Sequence, residues 1–598
     1  MPGHTTLILK YGFTFISAFL LSASALAVSL HGQVLDQNNN PLSQVQVIFD
    51  RDEAATGASV VTVFTNAEGI FSFPGDYADA DAGALPVSAR ALGYEQVSRD
   101  ISATVSDSAF ELTFVMAATS NQVDVAPASA WLGRIEDRQV KSSFILNCVD
   151  CHQVPAPEVR AYAGNIANME APDPLQARTR GWDALVKYMN YLSGWEFARG
   201  SGSDQVVDPN GATEGAYYVG NVPEVVNTLA EHFNDAMDTI SGYDWGAPVI
   251  ANDNTVIWEY EVLHPNAIRE ALMLGDPAQL WLADVASNNM IVVDVASGEQ
   301  TLQEVPTNGI LMSPHSLHRG ADDSLWVTPL FNSIVGHKDM ATGQWETWQL
   351  KTNDGRSPGI HDLSFGWEHE LLSDERGRIW FSDIGNNAVG YFEPNEGNAD
   401  IWTAPASPGR EDFAPAMYGL IMNDAHDEVW YSQLRNGTVG GFDISREEYI
   451  GPFQLPDPNA GPRRITITED DMMYVALYGS GQLLEFDINS RETVGIYDLP
   501  DIASAPYAAT WDPVRKVVWI PTANGDVIYR FDPATKEYGV LPMPRTQAFM
   551  RMLDIDEDTG VLIVSYSNIV EIVQGPRMAL IIDPGDNAYP EKFTLANP

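Results

Sequence analysis

The pattern of apolar and polar positions changes twice along this chain. From residue 29 to about 118, short alternating runs are broken by turn residues. Leu30-His-Gly-Gln-Val-Leu-Asp36 passes through Asn38-Asn-Asn-Pro41 to Val45-Gln-Val-Ile-Phe49, then Thr65-Asn-Ala-Glu-Gly69 turns into Ile70-Phe-Ser-Phe73. Short strands at this spacing predict a small β-sandwich. Between 119 and about 250 the period lengthens. Trp182, Leu185, Met189 and Leu192 fall on one helical face, and Val225 to Met237 does the same. From about 255 a strand pattern repeats, anchored at Trp281, Trp326, Trp380, Trp430, Tyr474, Trp519 and Leu562. The intervals are 45, 54, 50, 44, 45 and 43 residues. Seven β-rich repeats of this pitch predict a seven-bladed β-propeller, one four-stranded sheet per repeat.

The fold class expected is therefore mainly β and multidomain, with a small α-helical segment between the two β domains. At the N-terminus, Lys10 precedes an apolar run from Phe13 to Leu21 and small residues ending Ala25-Leu26-Ala27. The run is too short to span a bilayer and reads as a secretory signal, 1–27. The remaining bounds are 28–118 for the sandwich, 119–250 for the helical domain and 251–598 for the propeller. The net charge of -48 excludes a phosphate-neutralising nucleic-acid binder.

Candidate chemistry begins at Cys148-Val-Asp-Cys151-His152, which holds the only two cysteines of the chain. Cys-x-x-Cys-His is the attachment signature of one c-type haem: two thioether links, with the histidine as proximal iron ligand. A zinc site wants four ligands, and no second Cys/His cluster lies nearby. A structural disulfide has no use for His152. Covalent haem and the export signal agree on a periplasmic location.

Three resemblances add expectations. G-x-V-x-D, P-L-x-x-V-x-V and T-x-x-x-G-x-F-x-F in the first domain resemble the carboxypeptidase regulatory-like domain, which implies no chemistry there. The helix after the haem motif resembles small class cytochrome c domains, whose W-x-x-x-V-x-x-M helix supplies an axial methionine. That implies Met189 as distal iron ligand, with Met169 and His232 as rivals. In the propeller, Ser313-Pro-His-Ser-Leu317 with Leu325-Trp-Val-Thr328, and Arg378-Ile-Trp-Phe-Ser-Asp383 with Asn387-Ala-Val-Gly390, resemble the blades of streptogramin (virginiamycin B) lyases.

Counting eleven residues back from each anchor marks the start of each innermost strand. It yields Glu270, His315, His369, Gly419, Arg463, Ala508 and Arg551, with Tyr418, Arg464 and Tyr507 adjacent. Such positions converge at one mouth of the channel, so a polar ring there is expected to be a site. Arg463, Arg551, Tyr418 and Tyr507 are its expected substrate-binding residues, the arginines for an anion. His315, His369, Glu270 and Glu368 are its expected catalytic residues. The lyase resemblance implies histidines from two adjacent blades, a glutamate two residues before the second, and Mg2+ or another divalent metal. Trp367 occupies that glutamate's place, and Glu368 is shifted by one. His361 and its segment Pro358-Gly-Ile-His361-Asp362 read as a blade-three insertion near the mouth.

Three functions remain open. The first is a periplasmic oxidoreductase that binds a small polar or anionic substrate and passes electrons through the haem to a redox partner. The second is a C–O lyase acting by elimination, with an accessory haem. The third is a non-catalytic haem-carrying binding or sensor protein.

Overall fold

A computed structural model describes residues 29–51, 57–75, 85–101, 109–168, 172–200, 222–233, 237–263, 267–330, 332–405, 416–568 and 575–595. The expected signal and Met169 lie outside them. No helix among the described residues is long and apolar enough to cross a membrane.

The propeller is assembled as expected. Six four-stranded antiparallel sheets follow one another in chain order. Their inner strands begin at Ile268, Pro314, Ile360, Met417, Pro462 and Thr510. Every anchor lies on the second strand of its blade. Trp281, Trp380, Trp430 and Trp519 are almost wholly buried between neighbouring sheets, where a large ring removes the most apolar area from water.

The seventh blade joins the ends of the domain. Met550–Ile555, Leu562–Tyr566 and Met578–Asp583 come from the C-terminal part of the chain. Its outer strand, Val256–Glu261, comes from the domain's start and pairs antiparallel with Met578–Asp583. That strand is not left as an edge. Its other side pairs with Val60–Phe64 of the N-terminal domain, making one eight-stranded sheet across both. Exposed N–H and C=O groups on an edge invite foreign strands, and this pairing covers them.

The N-terminal domain is the expected sandwich. Val60–Phe64, Gln46–Asp50, Leu85–Arg90 and Val97–Ile101 form one sheet. Ile70–Ser72, Ser29–Asp36 and Ala109–Met116 form the other, and the last two strands run parallel. Val34, Val47, Phe71 and Phe114 fill the space between, in a core that continues into blades seven and one.

Between the two β domains the described residues form helices Ser129–Leu132, Arg138–Cys148, Pro157–Ala167, Pro174–Gly200 and Val222–His232. The second starts at Asp137, whose side chain accepts from the N–H groups of Gln139 and Val140 at 2.9 and 3.0 Å. Phe144, Trp182 and Phe233 meet at centroid distances of 6.1–6.4 Å in the core. That core does not close on itself. It runs on into Tyr418, Tyr478, Tyr507 and Phe549 of the propeller.

Close approach at the channel demands a glycine at 419, where a Cβ would lie 2.7 Å from Arg463 O and 3.1 Å from Arg464 Cα. Gly419→Ala is expected to destabilise the propeller by about 1–3 kcal/mol, read as a lower midpoint in thermal unfolding. An unchanged midpoint would show that blades four and five separate freely.

Candidate functional site at the propeller mouth

The inner strands of blades two, three, four, five and seven start with a register break. Pairing shifts between Pro314 and Leu317, Ile360 and Asp362, Met417 and Leu420, Pro462 and Ile465, and Met550 and Leu553. In a regular strand, successive side chains point to opposite faces. A bulge removes that alternation, so consecutive residues here contribute to one buried cluster. His315 with Ser316, His361 with Asp362, and Arg463 with Arg464 do so, and Arg269 joins Glu270 there.

Two ion-pair networks organise the cluster. Arg464 binds Glu270 through Nη2, lies 3.3 Å from Asp362 Oδ2 through Nη1, and donates to Ser316 Oγ at 2.7 Å. Leu317 N donates to the second Glu270 oxygen at 3.0 Å. Arg463 sits among three tyrosines, 3.9 Å from the Tyr478 ring, 4.2 Å from Tyr507 and 5.2 Å from Tyr418. The Tyr418 and Tyr507 hydroxyls are 2.7 Å apart. Arg463 Nη2 binds Asp150.

Asp150 is the central feature, because it lies inside the Cys148-x-x-Cys151-His152 motif. The motif loop is therefore seated on the propeller mouth. Tyr478 donates its hydroxyl proton to Val149 O. Asn524 of blade six accepts from Val154 N at 2.9 Å and donates to Val154 O at 3.1 Å, and its own carbonyl accepts from Ser129 N at 3.0 Å. Gln153 donates to Asp526 at 2.7 Å.

The histidine ring pairs His315 and His361, with centroids 4.7 Å apart and His361 4.0 Å from Tyr418. Burial holds both imidazoles neutral, helped by neighbouring positive charge. His361 is pushed down to about 3 and His315 lies well below its usual value. His361 Nδ1 is buried without a hydrogen-bond partner.

The expected ring is thus present with one correction. Glu270, His315, Arg463, Arg551, Tyr418 and Tyr507 are brought together, but His369 is not. The inner strand of blade three is Ile360–Leu363, and its His361 stands nineteen residues before Trp380, against eleven for His315 and Trp326. The extra residues of blade three lie between its first two strands, and His361 holds the ring position. His369 belongs to that inserted loop at the far end of the channel, where its Nε2 is 2.5 Å from Trp511 O. The loop bonds to Arg319, at the opposite end of the strand that starts beside His315. Four residues of strand place it roughly 13 Å from His315. Glu368, on the same loop, is exposed. Neither can share a small substrate with His315.

The donors do not suit a divalent cation at the ring. Glu270 and Asp362 are both held by Arg464, and no group of three or more His, Cys, Asp or Glu residues that could hold a metal occurs among the described residues. The motif does suit a haem. His152 is buried, and its Nδ1 lies 2.7 Å from Gln153 O. A carbonyl can only accept, so this bond fixes the tautomer with its lone pair on Nε2, as an axial ligand requires. Cys148 closes the helix Arg138–Cys148, and burial pushes its thiol up to about 12. Met189 is half-buried on Pro174–Gly200, and His232 ends Val222–His232.

Residues 29–117 match the carboxypeptidase regulatory-like domain. No curated protein sequence matches the chain. Among solved structures, virginiamycin B lyase from Staphylococcus aureus is similar at 15% identity and a TM-score of 0.44. It covers 55% of this chain and 99% of its own. A streptogramin B lyase is similar at 15% identity and the same TM-score, covering 55% and 98%.

Two outcomes test the site. Asp150→Asn removes the carboxylate from a buried arginine, which costs about 3–5 kcal/mol. It should expose residues 119–250 to proteolysis while the propeller stays folded, whereas equal resistance would show that the pair does not seat the loop. The second concerns pH. Between the unfolded histidine pKa of 6.5 and about 3 for His361, the unfolded chain binds protons that the fold refuses. Stability conferred by the neutral histidines is full above 6.5 and falls with acid, by at most about 1.4 kcal/mol per pH unit for each. Asp526 opposes this, because its folded value of about 6 exceeds 3.8 and gains stability as pH falls between them. His361→Gln should flatten the acid slope in denaturant titrations at pH 7, 6 and 5. Parallel slopes would remove the buried histidine from the account.

Proposed function

We propose that this chain is a periplasmic c-type haem oxidoreductase, with a small polar or anionic substrate bound in the propeller ring beneath the haem-attachment loop. One observation carries the reading: Asp150, within the attachment motif, is ion-paired to Arg463 of the ring. The motif and the ring therefore share one buried cluster.

Cys148 and Cys151 would hold the haem and His152 would be its proximal ligand, with Met189 as the distal one. When bound, the haem supplies one-electron redox chemistry. The chain's own residues supply the rest. The cluster has arginine for substrate charge, neutral His315 and His361 as proton acceptors, and walls that exclude water. The elimination reading draws less support, because His369 and Glu368, which it needs beside His315, belong to the far-end loop. Its divalent metal meets carboxylates already occupied by arginine.

Expression in a bacterial host that matures c-type cytochromes tests this directly. One covalent, low-spin haem per chain is expected, lost in Cys148→Ser and Cys151→Ser. Met189→Ala should raise the high-spin fraction and lower the reduction potential, since thioether ligation favours reduced iron. An unchanged spectrum in that variant hands the distal position to Met169 or His232. A wild-type protein without covalent haem would overturn the function itself.

A further inference from the structure

Two arginines of the ring have no carboxylate partner among the described residues. Arg269 and Arg551 lie on the inner strands of blades one and seven, which are neighbours in the closed ring. Both are buried, at 5% and 2% exposure. Arg463 and Arg464 each have a carboxylate, whereas neither Arg269 nor Arg551 makes an ion pair with a described residue. Arg551 donates from Nη1 to Ser567 O at 2.8 Å and lays its guanidinium 4.2 Å from the Phe549 ring centroid. All four ring arginines have an Nε without an acceptor, and Arg551 alone among them also has a buried Nη2 without one.

Buried donors of a charged group left without acceptors carry the full cost of their lost hydration. Two such cations side by side add repulsion. Burial and the neighbouring Arg269 pull Arg551 down to about 10. The charge of the cluster points the same way. Four arginines face three carboxylates, Asp150, Glu270 and Asp362, and the two histidines are neutral. One positive charge is unmatched. A planar guanidinium edge with two parallel N–H groups matches the two oxygens of a carboxylate.

We propose that Arg269 and Arg551 form a subsite for one carboxylate group of a small organic acid, beside the haem-attachment loop. This deepens the oxidoreductase reading, on which it rests for calling the bound acid a substrate. It reassigns the anion-binding role expected of Arg463, which Asp150 already occupies.

The test is calorimetric titration of the full-length haem-loaded protein with acetate, and separately with inorganic sulfate, at constant ionic strength. One acetate per chain is expected, with affinity about tenfold or more weaker in Arg269→Gln and Arg551→Gln. Arg551→Lys keeps the charge but loses the fork, and should also bind acetate more weakly. Acetate should raise the thermal midpoint of the wild type and leave that of Arg551→Gln unmoved. Removing an unpaired buried charge should leave that variant folded. Acetate binding that persists unchanged in both glutamine variants overturns the subsite, as does binding of sulfate in place of acetate. Haem-loaded protein that binds neither anion overturns the subsite and leaves the haem reading standing. Protein that lacks covalent haem yet binds acetate through these arginines upholds the subsite and refutes the oxidoreductase.

Discussion

The arrangement of this molecule depends on one buried ion pair, Asp150 with Arg463. Taking both charges out of water is costly, and the two charged ends are supported in return, although Arg463 Nε has no acceptor. Three tyrosine rings surround the guanidinium, the Tyr418 hydroxyl is 3.3 Å from Nη1, and the carboxylate is fixed by the loop that bears it. Replacing such a pair with apolar residues often leaves stability unharmed. Its value here lies in specificity. An apolar contact would let the helical segment slide over the mouth, whereas the pair fixes which residue of the motif meets which residue of the ring.

That constraint reaches the sequence through the inner-strand bulges. A regular strand would turn either Arg463 or Arg464 away from the cluster. With the register broken at Pro462–Ile465, the first takes the loop's aspartate and the second takes Glu270 and Asp362 from blades one and three. One pair of adjacent residues thus links the helical segment to the propeller and blade five to two other blades. The same device gives Ser316 and Asp362 inward roles that period-two alternation denies them.

This also decides what could be read from the chain alone. The propeller was legible because its signal repeats: seven anchors at similar pitch, each on the second strand of its blade. The sandwich was legible through turn residues and alternation. The ring was legible wherever the spacing from inner strand to anchor stayed constant. It failed in blade three, where the inserted residues fall inside the counted interval and moved the assignment from His361 to His369. The signal was present, since the 54-residue interval ending at Trp380 showed an insertion, but its position within the repeat did not show. Arg269 and Asp362 stayed hidden because alternation predicts one inward residue where a bulge supplies two. Asp150 could not be found at all. It is an ordinary variable position in its motif, and its partner lies 313 residues away.

The three parts of the chain are joined by different physics, and the difference bears on which can move. The sandwich shares a continuous eight-stranded sheet with blade seven, so separating them would break a ladder of backbone bonds and open a common core. The helical segment shares an apolar core with the propeller but no strand pairing, and its polar contacts are one buried ion pair, the amide of Asn524, Gln153 on Asp526, and the pair of Arg138 with the half-exposed Asp498. The polar contacts can be exchanged for water a few at a time, the shared core only at the cost of wetting apolar surface, whereas strand pairing opens cooperatively. The ring residues are almost fully buried, so the substrate proposed for them would need a route in. Movement of the helical segment would break no strand pairing, and it would uncover Arg269 and Arg551 and carry the Cys148–His152 loop away with the same motion.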